Sequence, residues 1–215
     1  MENVFVSWHG HACVAIEFDT YTIVIDPHDG ASIGLRKPMV KGDLILVTHD
    51  HFDHNAVNVV SKDKSRVLKM HYGEAVVDNI KITGLRTFHD KSKGKRRGEN
   101  TVYILEIKGF KLAHLGDLGE IPGDDIINKL KNVNLLMIPV GGTFTIEPNE
   151  AWIIVEKTKP INVMPIHYWI NGITLPLKPV DEFLKQVKDY KIVKIDTNKF
   201  DPTAYENSVI VAKSP

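Results

Sequence analysis

The chain has 215 residues, 43% of them hydrophobic and 25% charged, which is enough to bury a sizeable core. Its 27 basic and 27 acidic residues cancel, so the net charge offers no general attraction to nucleic acid or to anionic lipid. The single cysteine, Cys13, excludes an internal disulfide, and no stretch approaches the ~20 apolar residues that a membrane-spanning helix needs. Because the N-terminal segment 1–3 is acidic and no apolar signal core follows it, we predict a cytoplasmic protein with one domain over residues 1–215.

The first half of the chain is predicted to be rich in strands. Short apolar runs bounded by turn residues predict strands over residues 4–8, 13–18, 21–25 and 43–47. A short helix is expected over 56–61, a strand over 67–70, and an alternating extended segment over 74–88.

In the second half, a predicted hairpin is followed by alternating strands and helices. The hairpin pairs residues 101–107 with 110–115 around a Lys-Gly turn. Helices are then predicted over 124–131, 149–157 and 180–190, and strands over 135–140, 161–166 and 192–195. Two halves with strands and flanking helices predict an α/β (α+β) fold of two mixed sheets packed face to face, with helices on the outer faces.

The densest polar cluster lies directly after the predicted strand 43–47. It contains four candidate metal ligands within six residues: His49, His51, Asp53 and His54. Neutral imidazoles suit Zn²⁺ and similar ions, and a carboxylate adds charge and a second ligand type. Helix capping alone would need only one or two polar groups. The segment therefore predicts a metal site at a strand end.

The spacing His-x-His-x-Asp-His resembles the signature of the metallo-β-lactamase superfamily. The resemblance implies a four-layer αββα sandwich and a site for two metal ions, completed by a histidine after a mid-chain strand, an aspartate in a Gly-Asp turn and a late histidine. In this chain His89, Asp117 and His167 follow predicted strands in that order. Carried over by position, the first ion is held by His49, His51 and His89, the second by Asp53, His54 and His167, and Asp117 bridges them.

Two divalent ions, Zn²⁺ first and Mn²⁺ or iron as alternatives, would activate water at neutral pH and polarise the bond under attack. Asp53 is the candidate catalytic residue, since it can orient that water or move its proton. No serine or cysteine nucleophile is required, and the expected partner is a small-molecule substrate, with a homo-oligomer left open.

Further residues are candidates for supporting the ligands or binding substrate. The Gly-His-Ala string at His11 and the His-x-Gly-Asp string at His114 resemble the branch that contains ascorbate-6-phosphate lactonases and N-acylphosphatidylethanolamine phospholipases. A basic run after His89 includes Arg96 and Arg97, which could attract an anionic substrate or form an ordinary solvated loop. Thr145 follows another strand end and could line the pocket.

These observations favour a metal-dependent hydrolase acting on a small anionic ester, lactone or phosphodiester. A di-iron oxidoreductase is the first alternative, although such relatives usually have a further carboxylate in this motif and a fused flavin domain. A binding or regulatory module that has lost its ions is the second. Nucleases of the superfamily normally carry an added nucleic-acid domain, for which 215 residues leave no room.

Overall fold

The computed structural model describes residues 4–215. The acidic segment 1–3, on which the predicted cytoplasmic location depends, lies outside the described residues. The strands in this part of the chain are β1 (Val4–Trp8), β2 (Val14–Phe18), β3 (Tyr21–Ile25), β4 (Gly42–Val47), β5 (Ser61–Lys69), β6 (Gly73–Val77), β7 (Ile80–Phe88), β8 (Glu99–Ile107), β9 (Phe110–His114), β10 (Leu135–Pro139), β11 (Asn162–Ile166), β12 (Lys191–Lys194), β13 (Lys199–Phe200) and β14 (Ser208–Val211). The α-helices are α1 (Val57–Val60), α2 (Asp124–Leu130), α3 (Pro148–Thr158) and α4 (Val180–Leu184).

These strands form two mixed sheets. The first has the order β13-β1-β2-β3-β4-β5 and is antiparallel from β13 to β3, then parallel through β4 and β5. The second has the order β12-β14-β11-β10-β9-β8-β7-β6, with its parallel strands from β12 to β9 and its antiparallel strands from β9 to β6. Two mixed sheets with few helices agree with the αββα sandwich that the resemblance implies.

Alternation along the strands of the first sheet separates its two faces. Ile16 and Ile23 belong to the large core that also contains the second sheet, whereas Ala15 and Val24 face a smaller cluster with Val60 of α1. Cys13 is buried in that smaller cluster, as expected for a core residue. The parallel strands β10, β11 and β14 of the second sheet are buried along their whole length, which is typical of strands covered on both faces.

Helix α3 shows how the outer layer is specified. Glu147 and Glu150 form a reciprocal capping box at its N-terminus, where Pro148 also fits because its missing N–H would have no helical partner. Its inner side buries Trp152 and Ile154. Within residues 4–215, no helix is both long and apolar enough to cross a bilayer.

Several predicted boundaries are wrong, and tertiary pairing explains the largest error. The helix expected over 56–61 is only α1, and the strand expected over 67–70 begins at Ser61 instead. Although β5 opens with a polar, lysine-rich stretch, it pairs with β4 at the edge of the first sheet, where exposed polar side chains are well tolerated.

Turn geometry explains two further differences. The extended segment 74–88 divides into β6 and β7 at Asp78 and Asn79, both with positive φ as in a tight hairpin turn. The helix expected over 180–190 ends at Leu184, because the N–H groups of Gln186 and Val187 donate to the carbonyls three residues back and form tighter turns. Asp189 then adopts a left-handed conformation just before β12.

Candidate metal centre

The candidate ligands lie at one edge of the sandwich because the strands that precede them run in the same direction. Strands β3 and β4 are parallel, so the segments after Ile25 and Val47 emerge side by side. Strand β7 is antiparallel to β8, which is antiparallel to β9, so β7 and β9 end at the same edge of the second sheet. Strand β11 is parallel to β10, and β10 is parallel to β9, so β11 ends at this edge as well.

Three overlapping groups of ligand atoms come together at this edge, and in each of them the atoms lie within 4.8 Å of one another. The first group consists of His49, His51 and His89, and the second of His11, Asp53, His54 and His167. The third, Asp26, His49 and His54, shares a histidine with each of the other two. The structure therefore brings the sequence-predicted histidines into the two sets of the expected assignment and adds His11 to the second.

The Asp117 carboxylate lies between the first two of these groups. Its Oδ2 is 3.3 Å from Nε2 of His89 and 3.9 Å from Nε2 of His49 in the first group. The same oxygen is 3.1 Å from Nε2 of His167 and 3.3 Å from Nε2 of His54 in the second. A single carboxylate oxygen thus faces ring nitrogens of both groups.

The cluster fits a metal because buried polar atoms point into it without a hydrogen-bond partner. Among the described residues, these atoms include Nε2 of His49, His54 and His167 and Oδ1 of Asp117. Leaving such atoms unpaired in a buried site costs roughly 1–3 kcal/mol each. Imidazole nitrogens and carboxylate oxygens are ligands for Zn²⁺ and other divalent transition metals, so the donor set suits such ions.

Asp26, at the end of β3, orients two of the imidazoles. Its Oδ2 accepts from His54 Nδ1 at 3.0 Å and from the Thr48 hydroxyl at 2.7 Å. The Thr48 oxygen lies 3.0 Å from His49 Nδ1 and can accept its proton. With Nδ1 occupied in each ring, Nε2 of both rings remains available to a metal.

His11 supports the second group through Asp53. Its Nε2 lies 3.0 Å from Asp53 Oδ2, and its ring centroid is 4.1 Å from that of His167. His11 is fully buried and has a φ of 52°. Left-handed backbone is costly for a residue with a Cβ and is frequent at functional sites.

A tight turn places Asp117. Gly116 has a φ of +55°, and a Cβ at this position would lie 2.4 Å from Asn100 Oδ1 and 2.7 Å from the Thr48 Cβ. Asn100 Oδ1 accepts the Asp117 backbone N–H at 3.0 Å, and its amide donates to the Leu115 carbonyl. The turn therefore requires glycine at 116.

Burial and neighbouring charges set the protonation of the cluster. Burial lowers the pKa of His89 to about 4, so its ring is neutral near pH 7. Burial would raise the pKa of Asp117, but the surrounding His167 and His54 outweigh it and hold that pKa well below the usual range. For His54, burial is outweighed by Asp117 and Asp26, which raise the pKa.

Comparisons with known proteins agree with this centre. The family model described as "Beta-lactamase superfamily domain" matches residues 5–167. A UPF0173 metal-dependent hydrolase of Thermococcus onnurineus is 33% identical over 190 residues, which cover 77% of this chain and 84% of the relative. The chain belongs to the UPF0173 metal-dependent hydrolase family.

Solved structures show the same fold. A crystal structure from Thermotoga maritima, described as a candidate Zn-dependent hydrolase of the metallo-beta-lactamase superfamily, has a TM-score of 0.79 and 32% identity and covers 99% of this chain and 100% of its own. The diiron β-hydroxylase CmlA from Streptomyces venezuelae has a TM-score of 0.63 and 12% identity, and the match covers 100% of this chain and 53% of CmlA. At that identity CmlA shares the fold alone.

In this member of the UPF0173 family, a cavity of about 190 Å³ opens over the cluster. Its lining combines candidate ligands with an apolar wall: His51, Phe52, Asp53, His89, Arg97, Asp117, Phe144 and Leu175. Tyr168, next to His167 in the chain, does not line this cavity, because its ring packs against Trp8 in the core. Arg96 and Thr145 line a neighbouring cavity of about 250 Å³.

His114 has a backbone-bracing role. Its Nε2 donates to the Ala12 carbonyl at 2.9 Å, and its Nδ1 accepts the Gly116 N–H at 3.1 Å. The sequence predicted that both His11 and His114 support the ligands, and the structure shows a contact with a candidate ligand carboxylate at His11 but only backbone partners at His114.

Sequence analysis missed Asp26 and Asn100 as site residues. Asp26 lies at a strand end in an Asp-Pro turn, and such a turn is often near the metals in the family that the chain resembles, but this weak signal did not place Asp26 among the predicted site residues. Asn100 gave none, because its partners Thr87 and Leu115 are 13 and 15 residues away in the chain.

Proposed function

We propose that the chain is a two-metal hydrolase that cleaves a small anionic ester, lactone or phosphodiester. The observation that carries this proposal is the position of Asp117 Oδ2, within 3.1–3.9 Å of Nε2 atoms from both ligand groups. A carboxylate shared by two adjacent sets of imidazoles is suited to bridging two ions. Membership in the UPF0173 metal-dependent hydrolase family supports the reaction class.

In this proposal His49, His51 and His89 hold one ion, and Asp53, His54 and His167 hold the other, with Asp117 between them. When bound, two divalent ions, with Zn²⁺ the first candidate, would acidify water and polarise the attacked carbonyl or phosphoryl group. Asp26 and Thr48 fix the ring orientation of His54 and His49. These contacts keep Nε2 directed at the cluster.

Asp53 is the proposed catalytic residue. It lines the 190 Å³ cavity, where its carboxylate can orient the attacking water and accept a proton. Burial would raise its pKa, but the hydrogen bond from His11 and the charge of His54 outweigh burial and lower it, which keeps the carboxylate ionised. His11 acts as a positioning residue by holding Oδ2.

The substrate class rests on the basic residues at the rim. Arg97 lines the cavity over the ligands, and Arg96 lies next to it in the neighbouring cavity. Cations at this position favour an anionic substrate. Lactones and phosphodiesters are proposed as substrates because the sequence motifs at His11 and His114 resemble those of the branch that contains lactonases and phospholipases.

The test is metal analysis combined with activity on a panel of phosphodiesters, lactones and thioesters. Wild-type protein reconstituted with Zn²⁺ or Mn²⁺ should approach about two ions per chain, as expected for a two-metal site. The double variant His49→Ala and Asp117→Ala should lose both the metal and the activity, because it removes a ligand of one group and the carboxylate shared by both.

The control is His71→Ala, which removes an imidazole that belongs to neither ligand group. This variant should keep its metal content and its turnover. Full activity in a metal-free preparation of the wild type would contradict the proposal, and so would an inactive protein that carries both ions but hydrolyses no member of the panel.

A further inference from the structure

Two cavities meet at the candidate metal centre, and their linings differ in chemistry. The cavity of about 190 Å³ contains the ligands and the apolar wall. The neighbouring cavity of about 250 Å³ contains Lys91, Ser92, Arg96 and Thr145 and none of the ligands except His89. His89, Arg97 and Phe144 line both, so the cavities are continuous past the Arg97 side chain.

The basic run that lines the second cavity forms a turn around the Asp90 carboxylate. Asp90 is buried, and its carboxylate accepts four backbone N–H groups at distances between 2.7 and 3.2 Å. The donors are Ser92, Gly94, Arg96 and Arg97. A carboxylate that holds four amides folds residues 92–97 around itself, so the two arginines leave this turn from fixed backbone positions.

The two arginines carry charge that no side-chain carboxylate neutralises among the described residues. Arg97 Nη1 donates to the carbonyls of Thr143 and Phe144 at 3.2 and 2.9 Å, and its guanidinium lies 4.8 Å from the Phe144 ring centroid. These neutral contacts orient Arg97 without cancelling its charge. The Arg96 side chain is exposed and has no hydrogen-bond or ion-pair partner within residues 4–215.

The acidic residues around the same cavity already have partners. Glu147 forms an ion pair with Lys178 and accepts within the capping box of α3. The four backbone donors stabilise the charge of Asp90 without neutralising it. Lys91 lies 2.6 Å from Glu150, so the charges left at this cavity are those of the two arginines and Asp90, and they sum to a net positive charge.

We infer that the substrate carries a second oxyanion besides the group that is cleaved, and that this second group occupies the cavity lined by Arg96 and Arg97. The inference rests on the proposed hydrolase function and extends it to the substrate class. The bond to be cleaved lies over the ligands, in the cavity with the Phe52 and Phe144 wall. A terminal phosphate or carboxylate on the same molecule extends past Arg97 into the basic cavity.

The test uses metal-loaded protein and two pairs of substrates that differ only in the terminal group. The carboxylate pair is mono-p-nitrophenyl glutarate and p-nitrophenyl valerate. The phosphate pair is p-nitrophenyl 2-phosphonooxyethyl phosphate and p-nitrophenyl 2-hydroxyethyl phosphate. We expect the member with the terminal anion to have a KM lower by about 10-fold or more, as charge-assisted hydrogen bonds give, and the pair with the larger ratio identifies the oxyanion.

Arg96→Ala should collapse this ratio towards unity. Lys95→Ala is the matched control, because Lys95 is an exposed cation on the same turn that lines neither cavity, and it should keep the ratio. Equal KM values within both pairs in the wild type, or an unchanged ratio in Arg96→Ala, would overturn the inference.

A binding measurement keeps the two proposals separable. Sulfate is titrated into the metal-loaded wild type while the Nε–H resonance of Arg96 is followed by NMR, because Arg96 lines this cavity and does not line the cavity over the ligands. Saturable shifts without hydrolysis of any ester would support the anion site and contradict the hydrolase proposal. Hydrolysis of both members of a pair with no arginine shift would overturn the anion site and leave the hydrolase proposal standing.

Discussion

The Asp26 carboxylate orients two candidate ligand rings although it is not at the metal-facing nitrogen of either. It accepts the Thr48 backbone N–H at Oδ1, and at Oδ2 it accepts both the Thr48 hydroxyl and His54 Nδ1. Asp26 and His167 adopt positive φ values of 50° and 52°. The fold therefore holds strained backbone at residues whose side chains must face the centre.

At the residue scale, Asp26→Asn should weaken metal affinity by about 10- to 100-fold, which is the usual cost of losing a group that orients a ligand. An amide has one acceptor oxygen, so it cannot serve donors on both sides as the carboxylate does. Competition with a chromophoric chelator measures the affinity. Asp29→Asn, which changes an exposed carboxylate three residues away, is the control, and equal affinities for the two variants would contradict this role for Asp26.

At the scale of single elements, β9 is bounded by two glycines in left-handed conformation that have different surroundings. Gly109 has a φ of +81°, and a Cβ there would meet nothing within 4 Å. Gly116 has a φ of +55°, and a Cβ there would overlap Asn100 and Thr48. The first glycine serves only a hairpin turn, whereas the second allows the close approach that brings Asp117 into the centre.

Comparing Gly109→Ala with Gly116→Ala separates these two effects. Both substitutions should cost about 1–2 kcal/mol in free energy of unfolding for placing a Cβ in left-handed backbone. Gly116→Ala should cost about 1–3 kcal/mol more, because its Cβ must displace packed neighbours. Urea unfolding in the presence of chelator, so that metal does not contribute, gives both values. Equal destabilisation would mean that the close approach at Gly116 is relieved at no cost.

On the scale of the whole molecule, the centre joins the two sheets. The segment after β4 in the first sheet supplies His49, His51, Asp53 and His54. The second sheet supplies His89, Asp117 and His167 from the ends of β7, β9 and β11. In the metal-loaded state proposed above, ions in this position would link the two sheets at this edge, which lies outside their shared apolar core.

Removal of metal should therefore destabilise the whole fold. A ligand present at 1,000 times its Kd stabilises the native state by about 4 kcal/mol. For a chain of this size that corresponds to a shift in Tm on the order of 10 °C. We expect EDTA to lower the Tm of the metal-loaded wild type by that amount in calorimetry. The double variant His49→Ala and Asp117→Ala should show no EDTA effect, and an unchanged wild-type Tm would argue against ions that join the sheets.

The sequence alone determined the features that neighbouring residues encode. Short apolar runs bounded by turn residues predicted the first strands of the first sheet. The spacing of His49, His51, Asp53 and His54 indicated a metal site before any fold was known. The later strand ends at His89, Asp117 and His167 extended that hypothesis. The metallo-β-lactamase superfamily was confirmed, while the lactonase-like branch and the individual ligand assignments stay predictions.

Only the tertiary structure decided the contacts between segments distant in the chain. The polar first half of β5 is a strand because it pairs with β4. Strand β14 lies between β11 and β12, although no local pattern predicted a strand there. Asn100 reaches the Asp117 turn, and Asp90 gathers the amides of the basic turn beside the second cavity. The physical reason is that periodicity and turn chemistry are local properties of the chain, whereas the partner of a buried polar group is fixed only when the sheets pack.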